Sequence, residues 1–352
     1  MNPVMHVCRL DFWISPVFDE MIQADPQLAL QVLPRQGNDA HTLTALRQAH
    51  AYHVSAAKDE LPAHWFANQA LIEQCPQLLC VSSGGAGFDT VDVAACSRAG
   101  IAVVNQAGAN AHSVAEHTFG LLLAVVKRIV ESDHTLRNAS GFSREDLMGE
   151  EIHGRTLGLV GLGEIGRRVA RIAQGFGLEV LAYDPHLRSE QILAHGATPV
   201  TLPELLQRSD FVSLHCPLDA TTRHLIGAEQ FAAMKTGAVF LSTARGGIHD
   251  EAALYAALEN RHLSGAGLDV WACEPPAQNA PLMTLPNVVA TFHTAGVTHG
   301  GRRNVARSSA AQIAAILRGE RPPHLLNPEA WGLISERVAQ VLGSGGLGQQ
   351  QA

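Results

Sequence analysis

An arginine, a glutamate and a histidine close successive apolar runs in the second half of this sequence. Arg245 ends Val239–Ala244 and precedes Gly246-Gly247, Glu274 follows Leu268–Trp271 and precedes two prolines, and His293 ends Val288–Thr291 and precedes Thr294-Ala295-Gly296. Reducing a 2-oxo acid needs, besides hydride, a cation for the carboxylate, a proton donor for the developing alkoxide, and a group that keeps the donor charged. Each residue has a plainer reading alone: Arg245 as a helix-capping cation, Glu274 as a surface acid, His293 as one of 18 histidines. Their order at strand ends, where open α/β sheets seat ligands, is what points to a site.

A source of hydride is legible upstream. Gly161-Leu-Gly163-Glu-Ile-Gly166 follows the apolar run Leu157–Val160 and opens an amphipathic stretch, and a second apolar run ends in Asp184 about twenty residues further on. Gly161 would make the tight turn, Gly163 would let a pyrophosphate approach the backbone, and Gly166 would let helix sit on strand. The diphosphate would meet free N–H groups at the positive end of the helix dipole. Asp184 would accept from the ribose hydroxyls and repel a 2′-phosphate, favouring NAD over NADP, although Arg188 could rescue some NADP binding. Three glycines making a turn and an aspartate capping a helix would explain the pattern only without its strand–loop–helix–strand–acid setting.

These groups require a frame of alternating strands and helices. Val4–Leu10, Leu78–Ser82 and Ile101–Asn105 read as strands, with helices at Trp65–Gln74 and Val91–Ala99. Ser113 opens a long helical stretch reaching about Arg137, whose wide apolar face suits a domain or subunit interface. After a polar stretch the rhythm restarts: strands at Thr156–Val160, Val180–Tyr183, Phe211–His215, Ala238–Thr243, Ala266–Val270 and Val288–Thr291, with helices at Ile165–Gln174 and Asp250–Glu259 and a short one ending at Leu205–Arg208. That is a six-strand doubly wound pattern. The Gly/Gln-rich tail predicts disorder.

Composition bounds the partners. The chain has 352 residues, 46% hydrophobic and 16% charged, enough for two domains with real cores. With 25 Lys plus Arg against 33 Asp plus Glu and 5% aromatics, nothing suggests a nucleic-acid partner. The longest apolar run, Phe119–Val126, falls far short of the roughly 20 residues that span a bilayer, so no membrane partner is expected. Six scattered cysteines without a CxxC pair, and no leader-like start, predict reduced thiols in a cytoplasmic protein. His112, Glu116 and His117 lack the spacing of a zinc helix and read as a helix start between domains, so no metal is expected.

Several segments, taken in order from Ser82 to Gly296, resemble the D-isomer-specific 2-hydroxyacid dehydrogenases: SSGGAGFDTVD, SVAEHT, GRTLGLVGLGEIG, YDP, HCPLDATTRHLIG, STARGG, GLDVWACEPP and FHTAG. The resemblance implies that Arg245 pairs with the substrate carboxylate and polarises the C2 carbonyl, that His293 gives or takes the proton, and that Glu274 favours its charged form. It implies that backbone N–H groups at Ser83, Gly84 and Gly85 hold the carboxylate's other side and that Asp269 holds the nicotinamide carboxamide. Glu164, Ile165, Cys216, Pro217, Thr222, Thr243, Ala244, His293 and Gly296 would line the cofactor's path. The implied fold is α/β, two doubly wound parallel-sheet lobes, with a Rossmann NAD domain (111–296) inserted in a flavodoxin-like substrate domain (1–110 and 297–335), a tail over 336–352, and an active site in a cleft that closes by hinge motion. A homodimer across the NAD domains is expected.

Departures matter too. Gln106-Ala107 replaces the usual small residue and proline after the first lobe's last strand, Cys273 places a thiol beside Glu274 that would make activity sensitive to oxidation, and Phe292 stands where proline often precedes the histidine. The extra regulatory domain of some phosphoglycerate dehydrogenases is not expected. Glu274 speaks against formate oxidation, whose enzymes pair the histidine with glutamine. Phosphite oxidation, and a non-catalytic NAD-sensing corepressor, would keep the same trio; the lack of long interaction tails speaks against the latter. Tyr52, Lys58, Phe88 and Arg144 are candidates for specificity. With no first-lobe arginine cluster for a phosphate, phosphoglycerate is disfavoured.

Overall fold

A computed structural model describes residues 4–343. The chain divides into two units, one running to Asn110 and resuming at His299, the other spanning Ala111–Thr298.

The first unit is built on five parallel strands: β1 (Met5–Leu10), β2 (Leu28–Leu33), β3 (Ala51–Val54), β4 (Cys80–Ser83) and β5 (Ala102–Val104). Their order is β2-β1-β3-β4-β5. A parallel sheet covered on both faces buries every side chain of its central strands, as β3 and β4 do. On one face Phe18 and Ile22 pack with Ile313 and Ile316 of the helix His299–Leu317 over Val7, Leu79 and Val104. On the other, Leu46, Trp65, Leu71 and Cys96 cover Leu10, Tyr52, Val81 and Val103. The returning chain is fixed by Asn327, fully buried, whose amide donates to Ile101 O at 2.9 Å and whose oxygen accepts from Val103 N at 3.0 Å.

The second unit carries β6 (Thr156–Val160), β7 (Glu179–Tyr183), β8 (Thr198–Pro199), β9 (Phe211–Leu214), β10 (Ala238–Ser242), β11 (Leu263–Leu268) and β12 (Val288–Ala290). All are parallel, in the order β12-β11-β10-β9-β6-β7-β8. The order reverses beside β6, so the turns after β6 and β9 diverge and leave a crevice for a ligand.

Four expectations need correction. The second sheet has seven strands, not six: the extra one, β8, is two residues long, includes a proline and lies at the edge, leaving no apolar run to detect. The helix expected from Ser113 to Arg137 is two helices, Ala111–Val126 and Ile129–Asn138, parted at Arg128 with φ of 52°. That left-handed residue is held by its own guanidinium, which donates to Glu131 at 2.7 and 2.5 Å and to Asp146 O at 2.6 Å. The helix expected at Trp65–Gln74 is a 3₁₀ turn at Ala63–Trp65 and a short helix at Gln69–Ile72, because Ala67 is extended and exchanges backbone bonds with Thr90 and Asp92. Finally, the tail expected from 336 is helical to Leu342, burying Ile334 and Val338. Residues 344–352 of that tail lie outside the described residues.

No helix among the described residues is long and apolar enough to cross a membrane.

Candidate active site

Arg245, Glu274 and His293 follow β10, β11 and β12, three adjacent strands, at their C-terminal ends. His293 Nδ1 lies 2.8 Å from Glu274 Oε2, with the two side chains 40% and 27% exposed. The second Glu274 oxygen accepts from Trp271 N at 3.1 Å. Burial works to raise the Glu274 carboxyl, but the hydrogen bond and charge of His293, the Trp271 N–H and the charge of Arg245 outweigh it and hold it below its usual value. The trio therefore forms one electrostatic group. Arg245 is half-buried and donates to Ala244 O at 2.7 Å.

His293 is set in place from below. Its backbone is left-handed, with φ of 46°, a conformation that costs a non-glycine residue roughly 1–2 kcal/mol unless its surroundings impose it. Asp269 imposes it. Its carbonyl accepts from His293 N at 2.7 Å, while its carboxylate accepts from Thr294 N at 2.8 Å, Ala295 N at 2.9 Å and the Thr291 hydroxyl at 2.6 Å. Asp269 is 1% exposed, and its carboxylate braces this loop. His117 Nε2 reaches the same cluster, 3.0 Å from Thr291 Oγ1. The helix-start reading of His117 missed this contact; a lone acid after an apolar strand, needing buried donors, was the available signal.

The glycine-rich turn joins β6 to the helix Glu164–Gly175, with Gly163 at the N-cap. Gly161 has φ of 96°, and a Cβ there would lie 2.8 Å from Cys216 N, in the turn after β9. A Cβ on Gly166 would meet Gly161 O at 2.3 Å, whereas the space at Gly163 is open. Asp184, after β7, accepts from Leu162 N and His186 N, both at 2.9 Å, so it braces the turn while remaining partly exposed. A tight cradle with open space at the helix start and an acid beside it fits a dinucleotide diphosphate and ribose.

The other expected lining residues divide. Cys216 and Pro217 follow β9, and Pro217 O accepts from the Thr222 hydroxyl at 2.7 Å, which shapes that turn. Gly296 lies in the loop after His293. Ile165 packs against the core and Glu164 pairs with Arg168 at 2.7 Å. Thr243 is buried with its hydroxyl 3.0 Å from that of Thr118, and Ala244 is buried beside it. Cys273 is exposed, while burial pushes the thiols of Cys8 and Cys96 up to about 12 and those of Cys75 and Cys216 up to about 11. Among the described residues no group of three or more His, Cys, Asp or Glu side chains is placed to hold a metal ion.

In the first unit, the loop after β4 takes its shape from its carbonyls. The N–H of Gly84 is spent on Val54 O at 2.8 Å, which removes it from the expected carboxylate donors. The oxygens of Gly85, Ala86 and Gly87 accept from Gln106 N at 2.8 Å, Asn105 Nδ2 at 2.7 Å and Ser83 Oγ at 2.6 Å. In a planar trans peptide the N–H points opposite to the preceding carbonyl. The amides of Ala86, Gly87 and Phe88 thus face away from those anchors.

A doubly wound parallel sheet with a glycine-rich turn, an acid after the next strand and a cation–carboxylate–imidazole group at three adjacent strand ends defines a dinucleotide-binding oxidoreductase. The model of the D-isomer specific 2-hydroxyacid dehydrogenase NAD binding domain matches residues 119–295. A glyoxylate reductase of Korarchaeum cryptofilum is 40% identical over 78% of this chain and 82% of its own length. A D-3-phosphoglycerate dehydrogenase of Methanocaldococcus jannaschii is 40% identical over 73% of this chain, which spans only 49% of that longer relative. Among solved structures, D-lactate dehydrogenase from Aquifex aeolicus complexed with NAD and lactic acid is similar with a TM-score of 0.75 and 28% identity, over 91% of this chain and 98% of that one. The chain belongs to the D-isomer specific 2-hydroxyacid dehydrogenases.

Proposed function

We propose that the chain interconverts a small D-2-hydroxy acid and its 2-oxo acid with NAD, His293 carrying the proton. The observation that carries this is the 2.8 Å contact between His293 Nδ1 and Glu274 Oε2. An ionised carboxylate only accepts, so Nδ1 bears a hydrogen, and Nε2 is left to exchange a proton with the substrate oxygen. Bound NADH supplies the hydride. Arg245 takes the substrate carboxylate and polarises the carbonyl. In the first unit, the outward amides of Ala86 and Gly87 are neutral donors of the kind a carboxylate accepts from. Gly161, Gly163 and Gly166 seat the diphosphate, and Asp184 selects the unphosphorylated ribose.

A small, unphosphorylated acid is the preferred substrate, glyoxylate first. The glyoxylate reductase relative is covered over most of its length. Arg9 is paired with Asp19 at 2.6 Å and Arg35 with Asp11 at 3.0 Å, which leaves these first-unit guanidiniums committed. We also read the chain as a cytoplasmic homodimer. Its six cysteines are free thiols, as a reducing compartment keeps them. The helix Ile129–Asn138 buries none of its residues and exposes Ile129, Val130 and Leu136 by 53, 54 and 71%, an apolar patch suited to a second copy.

The test is NADH loss against glyoxylate, hydroxypyruvate, pyruvate, branched 2-oxo acids and phosphohydroxypyruvate. Turnover of a small unphosphorylated acid well above phosphohydroxypyruvate is expected. No turnover with any of them would end this reading.

A further inference from the structure

Gln106 is fully buried and Gln312 is 3% exposed, in a unit whose other interior positions are mostly apolar. A buried primary amide is costly unless its hydrogen bonds are made, so two adjacent ones imply something they hold. Gln106 follows β5, and its side chain does not fill core space passively. Nε2 donates to Ser83 O at 3.1 Å and to Ser82 Oγ at 3.3 Å, at the end of β4. Its backbone N–H holds Gly85 O at 2.8 Å. Its Oε1 accepts from Gln312 Nε2 at 2.9 Å, and Gln312 also donates to Asn105 O at 2.9 Å and accepts from His324 N at 3.0 Å. Asn105, thus fixed, donates to Ala86 O at 2.7 Å.

The chain of contacts runs from the helix His299–Leu317 through two amides to the carbonyls of Ser83, Gly85 and Ala86. Peptide planarity then fixes the N–H of Ala86 and Gly87 on the opposite side. An apolar residue at 106 could hold Gly85 through its backbone but would release Ser83 and leave Gln312 Nε2 with Asn105 O and a longer 3.4 Å contact to Ser308 Oγ. The geometry points to Gln106, braced by Gln312, as a positioning residue that sets the Ala86 and Gly87 amides for the substrate carboxylate. This rests on the proposed reading of that loop. Gln106 makes no contact with substrate in this role; it acts through the loop.

The test uses Gln106→Met, which keeps the length and loses the amide, with Gln312→Met and the double variant. For each, the Kd of oxamate, an unreactive 2-oxo acid mimic, is measured by calorimetry on the NADH-loaded enzyme, beside the Kd of NADH, kcat and KM. The expected result is a roughly tenfold weaker oxamate Kd and a matching rise in KM, kcat within threefold and an unchanged NADH Kd. The double variant should be little worse than Gln106→Met, since both amides serve one network. A folded Gln106→Met that binds oxamate within twofold of wild type overturns the proposal, and so does a loss spread equally over NADH, oxamate and kcat. If Gln106→Met fails to fold, Ser82→Ala removes a single partner: oxamate weakened two- to threefold with an unchanged NADH Kd supports the proposal, and an unchanged oxamate Kd overturns it. A wild-type enzyme that binds NADH but neither turns over any 2-oxo acid nor binds oxamate would instead sink the functional reading itself.

Discussion

His293 and Glu274 stand on loops after neighbouring strands, yet their side chains meet at 2.8 Å, Nδ1 to Oε2. Neither loop achieves this alone. The histidine is turned into a left-handed conformation by Asp269, and the glutamate is steadied by Trp271 N. With Glu274 ionised, the contact puts a hydrogen on Nδ1 and holds the ring's orientation, as the proposed proton-transfer role requires.

Glu274→Gln should keep the hydrogen bond and lose the charge. NADH affinity is expected to hold while kcat falls by roughly 10²-fold, measured by steady-state NADH oxidation beside a fluorescence titration. The same variant tests the pH dependence. The folded Glu274 carboxyl sits below its ordinary value of 4.5, so its stabilisation is complete above that value and is lost as pH falls through the lower, folded one. The pair is partly exposed, so the Tm gap between wild type and Glu274→Gln should be only about 1–3 °C at neutral pH. It should close under acid conditions; a gap that widens there would contradict the assignment.

The glycine turn separates folding from binding. Gly166→Ala drives a Cβ to 2.3 Å from Gly161 O, where only backbone could yield. It should cost about 3 kcal/mol, roughly 6–12 °C in Tm by calorimetry. Gly163→Ala meets open space. It should lower Tm by no more than about 3 °C yet weaken NADH about tenfold or more by crowding the diphosphate. Equal losses of Tm in both variants would contradict this division.

Asp184→Ala should weaken NAD more than NADP and narrow the ratio of their kcat/KM values. Because Asp184 also holds Leu162 N, some loss toward both is expected. An unchanged ratio would show that another group reads the ribose.

The second unit was far more legible than the first. Its strands from β6 to β12 are nearly all unbroken apolar runs ended by glycine, proline or a polar cluster, and the trio and the glycine turn sit at those ends. In the first unit, β2 is only partly buried and its flanking helices span eight and nine residues, so residues 11–64 gave no clear period. Contacts between distant segments were equally hidden. His117 to Thr291, Thr118 to Thr243 and Gln312 to Gln106 each join residues more than a hundred positions apart, and no local pattern encodes them. Gln106 is legible in the sequence only as an unusual residue after a strand, since its partner Gln312 lies 206 positions away.

His293→Ala tests the central claim most directly, with NADH oxidation in the presence of the best 2-oxo acid and NADH binding measured on the same preparation. The account predicts turnover lower by about 10²–10⁴-fold with NADH affinity within twofold of wild type. A His293→Ala enzyme that turns over at the wild-type rate would remove this histidine from the chemistry and contradict the account.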